Sequence, residues 1–379
     1  MQASSSITIN KPPDTKDRQH PWNKLGPLPE KAAIWEYGYV INGQAVSSTP
    51  ENLVKLIETQ GKEIECVWTP ETPEPVLPER VPFLVEGFRR RQARHARNDM
   101  LIGGGIAVVN LLLAIARPKR DLAILGLCFS LGAIFLVQGI VTYWRTRNYT
   151  QADAISDATA ERFTSWLSHK GFSGYTITLI GCMLVVGVVQ VFNPDWLNAA
   201  ALVKPSVRGG EIWRLFSATL MHADFTQFSL NVCALLYFSR TIDQTLHRAY
   251  VPLVFLVGGA LGSLLSVVLY PNSNSVGGSG GLMGLLAFVV IAAYFDRTKY
   301  PSKYLWHVLK AAVLVVVLGV FGFASFDNAA HLGGLLAGLA LGWLLLGRPI
   351  EDKTLRIIGA LSSLALVFTA AFTIYRMLS

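Results

Sequence analysis

The chain has few charged residues: Asp, Glu, Lys and Arg together make up only 15% of its 379 residues. A soluble domain of this length carries about a quarter charged residues, whereas here 51% of the residues are hydrophobic. This composition argues against a soluble protein and predicts an all-α polytopic membrane protein.

Cysteine is also scarce, with four scattered residues: Cys66, Cys128, Cys182 and Cys233. They form no CxxC pair, so nothing points to a disulfide framework or a structural zinc site. The zinc-protease motif HExxH is missing, and so is a pair of aspartates within the apolar segments. We therefore expect no metal and no cofactor. Residues 1–28 contain no apolar stretch, which predicts that there is no cleavable signal peptide.

The net charge of +8 is distributed unevenly along the chain. The basic residues cluster beside apolar segments, which is typical of the cytoplasmic loops of membrane proteins and not of a nucleic-acid-binding surface. We therefore expect no nucleic-acid partner. The pattern also predicts a cytoplasmic amino terminus. With that orientation, the helices that begin near Ser279 and His331 both start on the outer side of the membrane.

Long hydrophobic runs are plentiful, and a helix needs about twenty residues to cross a bilayer. The segments predicted as membrane helices are 100–116, 121–144, 172–192, 215–239, 250–270, 277–295, 305–325, 329–347 and 355–376. The regions predicted before the core are a disordered tail (1–30), a small cytosolic α+β module (31–70), a proline-rich linker with a basic juxtamembrane segment (71–99), a transmembrane hairpin (100–144) and an amphipathic connector (145–171).

Local patterns give the α+β module its elements. Residues 34–40 and 64–68 read as strands, and the Asn42-Gly43 pair predicts a tight hairpin turn. A helix is expected to begin at Ser48-Thr49-Pro50-Glu51, with Ser48 paired to the glutamate three residues later. Leu53, Leu56 and Ile57 would form its buried face. The module could bind a peptide or protein partner, or it could be a structural accessory.

Two further patterns surround the predicted hairpin. Five arginines precede it, and beside an apolar segment they favour a topology anchor that contacts anionic lipid; they are Arg89, Arg90, Arg91, Arg94 and Arg97. The connector that follows it is expected to lie on the membrane surface, with Phe163, Trp166 and Leu167 facing lipid.

The most informative residues are Ser279, within Gly277-Gly278-Ser279-Gly280, and His331, within Ala330-His331-Leu332-Gly333-Gly334. Small residues in a membrane helix usually serve packing, and a lone histidine at membrane depth is usually a polar contact. Two glycine-faced helices that present a hydroxyl and an imidazole at the same depth are more specific, because close approach would bring the two groups into hydrogen-bond reach. A phosphate-binding loop is not favoured, since no Walker lysine follows. A transporter would want intramembrane charges or inverted repeats, and neither is found.

With Trp213-Arg214, His222 and Asn231, these motifs resemble the rhomboid family of intramembrane serine proteases over residues 172–348. The resemblance implies a rhomboid-like six-helix core (172–348), two preceding helices and one extra carboxy-terminal transmembrane helix (355–376). It also implies that Ser279 and His331 form a catalytic dyad without an aspartate. The expected reaction is endopeptidase cleavage in or near transmembrane segments of membrane-protein substrates within the lipid bilayer.

The chain departs from the family pattern at two positions. Gln227 stands where the family has a histidine of the second core helix, and Met283 replaces a common aromatic residue four positions after the serine. An oxyanion hole would then use the Ser279 backbone N–H, the Asn231 amide and Gln227. His222 and Gly278 are further residues expected to line the site.

These inferences place the protein in a bacterial inner (plasma) membrane, with its active site open to the outer side. The alternative is a catalytically weak or inactive rhomboid-like protein that binds transmembrane helices for quality control. Such relatives usually lack the serine or the histidine, and this chain has both.

Overall fold

The structure is a computed structural model that describes residues 22, 36–61, 63–116, 122–193, 195–297, 299–306, 308–310 and 327–379. Side chains are described in these ranges except at residues 73, 113, 114, 116 and 122–131. The predicted disordered tail, apart from Trp22, and most of the predicted helix 305–325 lie outside the described residues. The chain divides into two compact units, residues 1–111 with 131–166 and residues 112–130 with 167–379.

The first unit contains a four-stranded antiparallel sheet in the order β2-β1-β3-β4. Its strands are β1 (Gly38–Ile41), β2 (Gln44–Ser47), β3 (Ile64–Thr69) and β4 (Thr72–Val76). The predicted hairpin turn joins β1 to β2, and both of its central residues have positive φ, 50° at Asn42 and 71° at Gly43. Such a turn matches the twist of the paired strands, which explains why the Asn-Gly pair located it.

Helix α1 (Pro50–Gln60) crosses this sheet as the sequence predicts, with Leu53 and Ile57 fully buried. Its cap differs from the expectation. The Thr49 hydroxyl, and not that of Ser48, accepts the Asn52 backbone N–H at 3.3 Å. Proline then occupies the first helical position, where its missing N–H costs nothing.

The stretch predicted as a proline-rich linker contributes to the same fold. Strand β4 pairs with β3, and two single 3₁₀ turns, Pro78–Arg80 and Pro82–Leu84, follow it. Val81 and Leu84 are buried in one apolar cluster with residues of α1 and β3. The sheet therefore extends past residue 70, because prolines are tolerated at an edge strand and in turns.

The helices next in sequence are α2 (Val85–Ala116), α3 (Leu122–Arg145) and α4 (Gln151–Ser168). The basic run and the first predicted membrane segment form the single helix α2. At the predicted hairpin, a Cβ on Gly103 would lie 2.6 Å from the Gly132 carbonyl oxygen, so α2 and α3 pack closely there.

Helix α4 is not the lipid-facing surface helix that its amphipathic pattern suggested. Ala154 and Ala158 belong to the buried cluster of the first unit. Phe163 is fully buried, Leu167 is 5% exposed, and Trp22 packs edge-on against Phe163 with ring centroids 4.8 Å apart. An amphipathic helix can bury its apolar face in protein as well as in lipid, and this one packs on protein.

The basic run is likewise not a free lipid anchor. Arg91 donates to Glu161 at 2.9 Å, and its side chain is only 6% exposed. Arg94 pairs with Glu58, and Arg89 and Arg90 both pair with one glutamate of their own helix. Glu58 and Glu161 lie far from the basic run in sequence, whereas the third glutamate lies in the first turn of α2. Together these carboxylates neutralise most of the positive charge of the run.

The second unit is built from helices around the glycine-rich segments. Its short elements are α6 (Trp196–Ala200), β5 (Leu202–Val203), α7 (Lys204–Arg208), α8 (Arg214–Ser217) and β6 (Asn274–Ser275). Its longer helices are α5 (Gly174–Phe192), α9 (Phe225–Thr245), α10 (Tyr250–Leu269), α11 (Ser279–Phe295), α12 (Asn328–Leu346) and α13 (Asp352–Leu378). Helix α9 begins at Phe225, ten residues after the start of the predicted segment 215–239, because α8 and a turn occupy the first part of that segment.

Four of the described helices are long and apolar enough to cross a membrane, namely α5, α10, α12 and α13. Helix α11 is equally apolar but has only 17 residues. Helices α5, α10, α12 and α13 match the predicted segments 172–192, 250–270, 329–347 and 355–376. The mostly helical, multi-span character of the chain is therefore confirmed, while the full number of spans stays a prediction.

Candidate active site

Ser279 is the first residue of α11, and two residues before it the backbone takes a conformation that favours glycine. Gly277 has φ +135°, a conformation that residues with a Cβ rarely adopt. Its N–H donates to the Ala218 carbonyl at 2.9 Å. Just upstream, β6 pairs with β5 of the loop between α5 and α9. These contacts fix the chain before α11 and place the serine hydroxyl at the partly buried start of that helix.

His331 lies in the first turn of α12. The Asp327 side chain caps this helix by accepting the Ala330 N–H at 3.0 Å, and the Asp327 carbonyl accepts the His331 N–H at 3.1 Å. A helix start of this kind is well defined, because the cap satisfies N–H groups that otherwise lack an acceptor. The imidazole therefore lies in a capped first helical turn.

The serine and the histidine are in direct contact. The Ser279 Oγ lies 2.8 Å from the His331 Nε2, which is hydrogen-bond distance. The histidine is 6% exposed. In a neutral pair the hydroxyl donates and the imidazole nitrogen accepts, which is the arrangement from which a base can take the serine proton.

Glycines set the spacing of the two helices. A Cβ on Gly334 would overlap the Gly280 carbonyl group, and a Cβ on Gly338 would overlap that of Gly284. Backbone therefore packs directly on backbone along α11 and α12. This is the close approach that the glycine faces predicted.

Helix α10 packs against both α11 and α12. A Cβ on Gly262 would lie 2.5 Å from the Ala330 carbonyl oxygen, and one on Gly258 would lie 3.3 Å from the Gly284 Cα. The residue beside the histidine is thus fixed by both neighbouring helices. The geometry of the serine–histidine contact depends on three helices that all lack side chains at their crossing points.

Asn231 and Gln227 lie one turn apart on α9, which packs against α11. Asn231 is 7% exposed, and its Nδ2 has no acceptor among the described residues. Buried amide N–H groups are rarely left without an acceptor in a folded protein, so this one is available to a ligand oxygen.

Gln227 is already engaged at both ends of its amide. Its Oε1 accepts the Ala223 N–H at 2.7 Å, and its Nε2 donates to the Val276 carbonyl at 3.3 Å. A Cβ on Gly277 would lie 3.0 Å from that Nε2 and 3.8 Å from the Ser279 Oγ. Gln227 is therefore near the serine, but in this structure it joins two loops.

The other predicted lining residues occupy different positions. His222 is buried, its ring meets Phe228 edge-on at 5.2 Å, and it borders a cavity of about 410 Å³ between α5 and the start of α9. Gly278 lies against the Thr219 carbonyl. Met283 is 5% exposed within α11.

The Trp213-Arg214 pair organises the loop between α5 and α9. Arg214 is 4% exposed and donates to the carbonyls of Ala201 at 2.8 Å and Asn198 at 2.9 Å. Its guanidinium also stacks on the Trp213 ring at 4.6 Å. These contacts tie α6 and β5 to α8, so the pair acts on the loop and not on the serine directly.

Sequence reasoning did not single out Lys204, although the structure places it beside Asp327. The Lys204 Nζ lies 3.6 Å from the Asp327 carboxylate and 2.8 Å from the Ser273 Oγ, and its side chain is 1% exposed. The sequence does contain a signal. Lys204 follows the apolar residues Leu202 and Val203 in the loop 193–214, and the predicted orientation places this loop on the outer side, where lysine is unusual.

The rhomboid domain family model matches residues 209–348. The match ends where the predicted core ends, and it begins 37 residues later than predicted. All the predicted site residues lie within it.

Curated relatives match a similar length of the chain. It is 33% identical over 147 residues to RHOMBOID-like protein 4 of Arabidopsis thaliana, which covers 39% of this chain and 37% of that protein. It is 33% identical over 146 residues to RHOMBOID-like protein 6, mitochondrial, of the same plant, covering 38% and 48%. It is 29% identical over 157 residues to Rhomboid-like protease 1 of Toxoplasma gondii, covering 39% and 52%. The chain thus spans about half or less of these relatives, none of which is bacterial.

Proposed function

We propose that this chain, which belongs to the rhomboid family and is an integral, multi-pass membrane protein, is an intramembrane serine endopeptidase. Its substrates are membrane proteins, cut at peptide bonds in or near their transmembrane segments. The observation that carries the proposal is the 2.8 Å contact between Ser279 Oγ and His331 Nε2, made by two apolar helices. Polar groups at such depth are seldom retained without a function.

The contact gives each residue a role. As the Ser279 Oγ attacks the substrate carbonyl carbon, the His331 Nε2 takes the hydroxyl proton. The tetrahedral intermediate collapses when that proton passes to the leaving amine, and an acyl-enzyme remains. Water then gives a proton to His331 and attacks the ester carbon. The second tetrahedral intermediate collapses as its bond to the Ser279 Oγ breaks, the His331 proton passes to that Oγ, and the new carboxyl group leaves. The serine returns to its starting state.

Two groups support a binding site for the oxyanion that forms in these steps. The Ser279 N–H lies at the start of α11, where the first N–H groups of a helix have no intrahelical acceptor and the dipole favours negative charge. The Asn231 Nδ2 is buried and has no acceptor among the described residues. A donor held in advance of the reaction stabilises the charge without reorganisation.

Gln227 supports the site in a different way from that expected of an oxyanion donor. One of its two N–H groups faces the Val276 carbonyl, and its oxygen is held by Ala223. We assign to it the joining of the loop before α9 to the loop before Ser279. Its second N–H remains available, so a minor contribution to the oxyanion site is compatible with these contacts.

The geometry favours hydrolysis over the alternative of an inactive helix-binding protein. An inactive protein needs no contact between a hydroxyl and an imidazole, whereas this chain keeps both groups and brings them together. For the same reason we favour the endopeptidase over a purely structural use of the glycine faces.

The orientation is part of the proposal. The distribution of basic residues supports a cytoplasmic amino terminus and an active site open to the outer side. The plant and apicomplexan relatives give no support to a bacterial membrane, so the membrane is proposed only as one in which the amino terminus lies on the cytoplasmic side. A peptide or protein partner of that unit remains a prediction.

The test is cleavage of a model single-span membrane protein by the purified full chain in proteoliposomes. We expect cleavage by the unmodified chain, and none by Ser279→Ala or His331→Ala. Ser362→Ala, which changes another buried serine in α13, serves as the matched control and should cleave normally. Equal cleavage by Ser279→Ala would contradict the proposal.

A further inference from the structure

Asp327 contacts three separate elements near the histidine. It caps α12 through the Ala330 N–H at 3.0 Å, it accepts a hydrogen bond from the Ser266 hydroxyl of α10, and it lies 3.6 Å from the Lys204 Nζ of α7. Its side chain is 13% exposed. An aspartate used only as a helix cap would need none of the last three features.

Lys204 is more deeply buried than its partner. The residue has no exposed surface, and its Nζ also donates to the Ser273 Oγ at 2.8 Å and lies 5.7 Å from the centre of the Tyr270 ring. Burial lowers the pKa of this ammonium, and the Asp327 carboxylate opposes that change. Because a buried charge without a partner is strongly destabilising, each member of this pair requires the other.

The ion pair connects the segment that leads to Ser279 with the start of the helix that carries His331. Lys204 directly follows β5, whose residues Leu202 and Val203 pair with Ser275 and Asn274. That second strand leads into Ser279 four residues later. Asp327, on the other side of the ion pair, begins the helix of His331. A contact between the two charges therefore sets the position of one helix start relative to the other.

We propose that Asp327 and Lys204 are positioning residues for the dyad: their buried ion pair holds the first turn of α12, and so the His331 imidazole, in register with Ser279. Both act through other residues: the Asp327 carboxylate bonds to Ala330, Ser266 and Ser275, and the Lys204 ammonium contacts Ser273 and Tyr270. The inference rests on the proposed function for its kinetic consequences, but its structural consequence stands independently.

The experiment compares four variants of the full chain. Asp327→Ala removes the cap and leaves Lys204 without a partner, and Lys204→Met leaves the aspartate without one. The double variant with Asp327→Asn and Lys204→Met keeps a capping oxygen and leaves no buried charge. Asp352→Ala is the control, because Asp352 also begins a helix and forms ion pairs, but it is 61% exposed.

Three measurements are made on each variant: kcat and KM for a model transmembrane substrate, the rate of fluorophosphonate labelling, and hydrogen–deuterium exchange of residues 328–331. We expect each single variant to lower kcat and the labelling rate by about tenfold or more, with little change in KM, because misplacing a catalytic group acts on the chemical step. Exchange at the start of α12 should rise. The double variant should regain kcat to within about threefold, since coupled partners are not additive.

Single variants that keep the kcat of the unmodified chain would overturn the inference. A double variant whose kcat is no higher than that of either single variant would also overturn the inference, because the effects of two unrelated structural losses add. If the unmodified chain neither cleaves nor labels, the proposed function fails, and the exchange measurement then decides alone. Unchanged exchange at 328–331 in Asp327→Ala would overturn the positioning role, and raised exchange would support it.

Discussion

Gly334 lies against the Gly280 carbonyl so closely that neither a methyl group nor a water fits between α11 and α12 at that level. The two glycines are one turn beyond His331 and one residue beyond Ser279. They therefore determine how near the hydroxyl and the imidazole can come. The reactive geometry depends on residues that have no side chain.

Gly334→Ala is expected to abolish most activity. The added Cβ would overlap the Gly280 carbonyl group, so α12 must shift, and a displacement of about 1 Å at a catalytic group costs about a hundredfold in rate. The measurement is kcat on a model transmembrane substrate. The control is Gly181→Ala in α5, where a Cβ meets no described atom within 4 Å. Equal activity of both variants would show that the glycine contact does not set the dyad.

Asn231→Ala tests the buried amide. If its Nδ2 donates to the oxyanion, its loss should lower kcat by about 100- to 1,000-fold, with a much smaller change in KM. Gln227→Ala, which removes a loop contact instead, should have the milder effect on kcat. The reverse order would make Gln227 the main side-chain donor to the oxyanion.

Phe163→Ala distinguishes a protein core from a lipid-facing surface. Phe163 is fully buried and packs on Trp22, so truncation should destabilise the first unit by about 3–5 kcal/mol. A denaturant titration of the full chain in detergent, followed by tryptophan fluorescence, measures the change. Thr164→Ala changes the exposed neighbour on the same helix and should be nearly neutral. If the two variants were equally stable, Phe163 would face lipid and would not be part of a protein core.

Removal of the first unit should spare catalysis only if the cut respects its packing. A chain that starts at Asp99 keeps α4 but loses the α1 and β3 residues that cover Ala154 and Ala158, and we expect it to aggregate. A chain that starts at residue 167 also lacks residues 112–130 of the second unit, but it should remain folded and active in detergent, because the proposed dyad, Asn231 and the glycine contacts lie beyond residue 167. Size-exclusion chromatography and substrate cleavage read the two outcomes. If the chain that starts at residue 167 is well folded but inactive, the residues before it are needed for activity.

The sequence predicted well what depends on local chemistry. Asn42-Gly43 predicted its hairpin turn because those residues adopt positive φ readily, and apolar length predicted α5, α10, α12 and α13. The contact of Ser279 with His331 followed from two glycine faces and one topology argument. The first two signals lie within the feature that they predict, and the third combines two local motifs through the predicted topology.

What the sequence did not predict depends on distant partners. Arg91 and Phe163 looked suited to a membrane surface, but Glu161 and Trp22 supply protein partners from elsewhere in the chain. The ion pair of Lys204 with Asp327 joins residues more than a hundred positions apart. Neither composition nor periodicity carries information about such pairs.

The most direct test of the account is labelling of the intact protein in native-like membranes with a fluorophosphonate, followed by mass spectrometry of the modified peptide. A serine reacts rapidly with this reagent only when a base activates it. The account predicts a single adduct on Ser279, lost in His331→Ala although the serine is still present. An unlabelled Ser279, or labelling that persists at the same rate in His331→Ala, would contradict it.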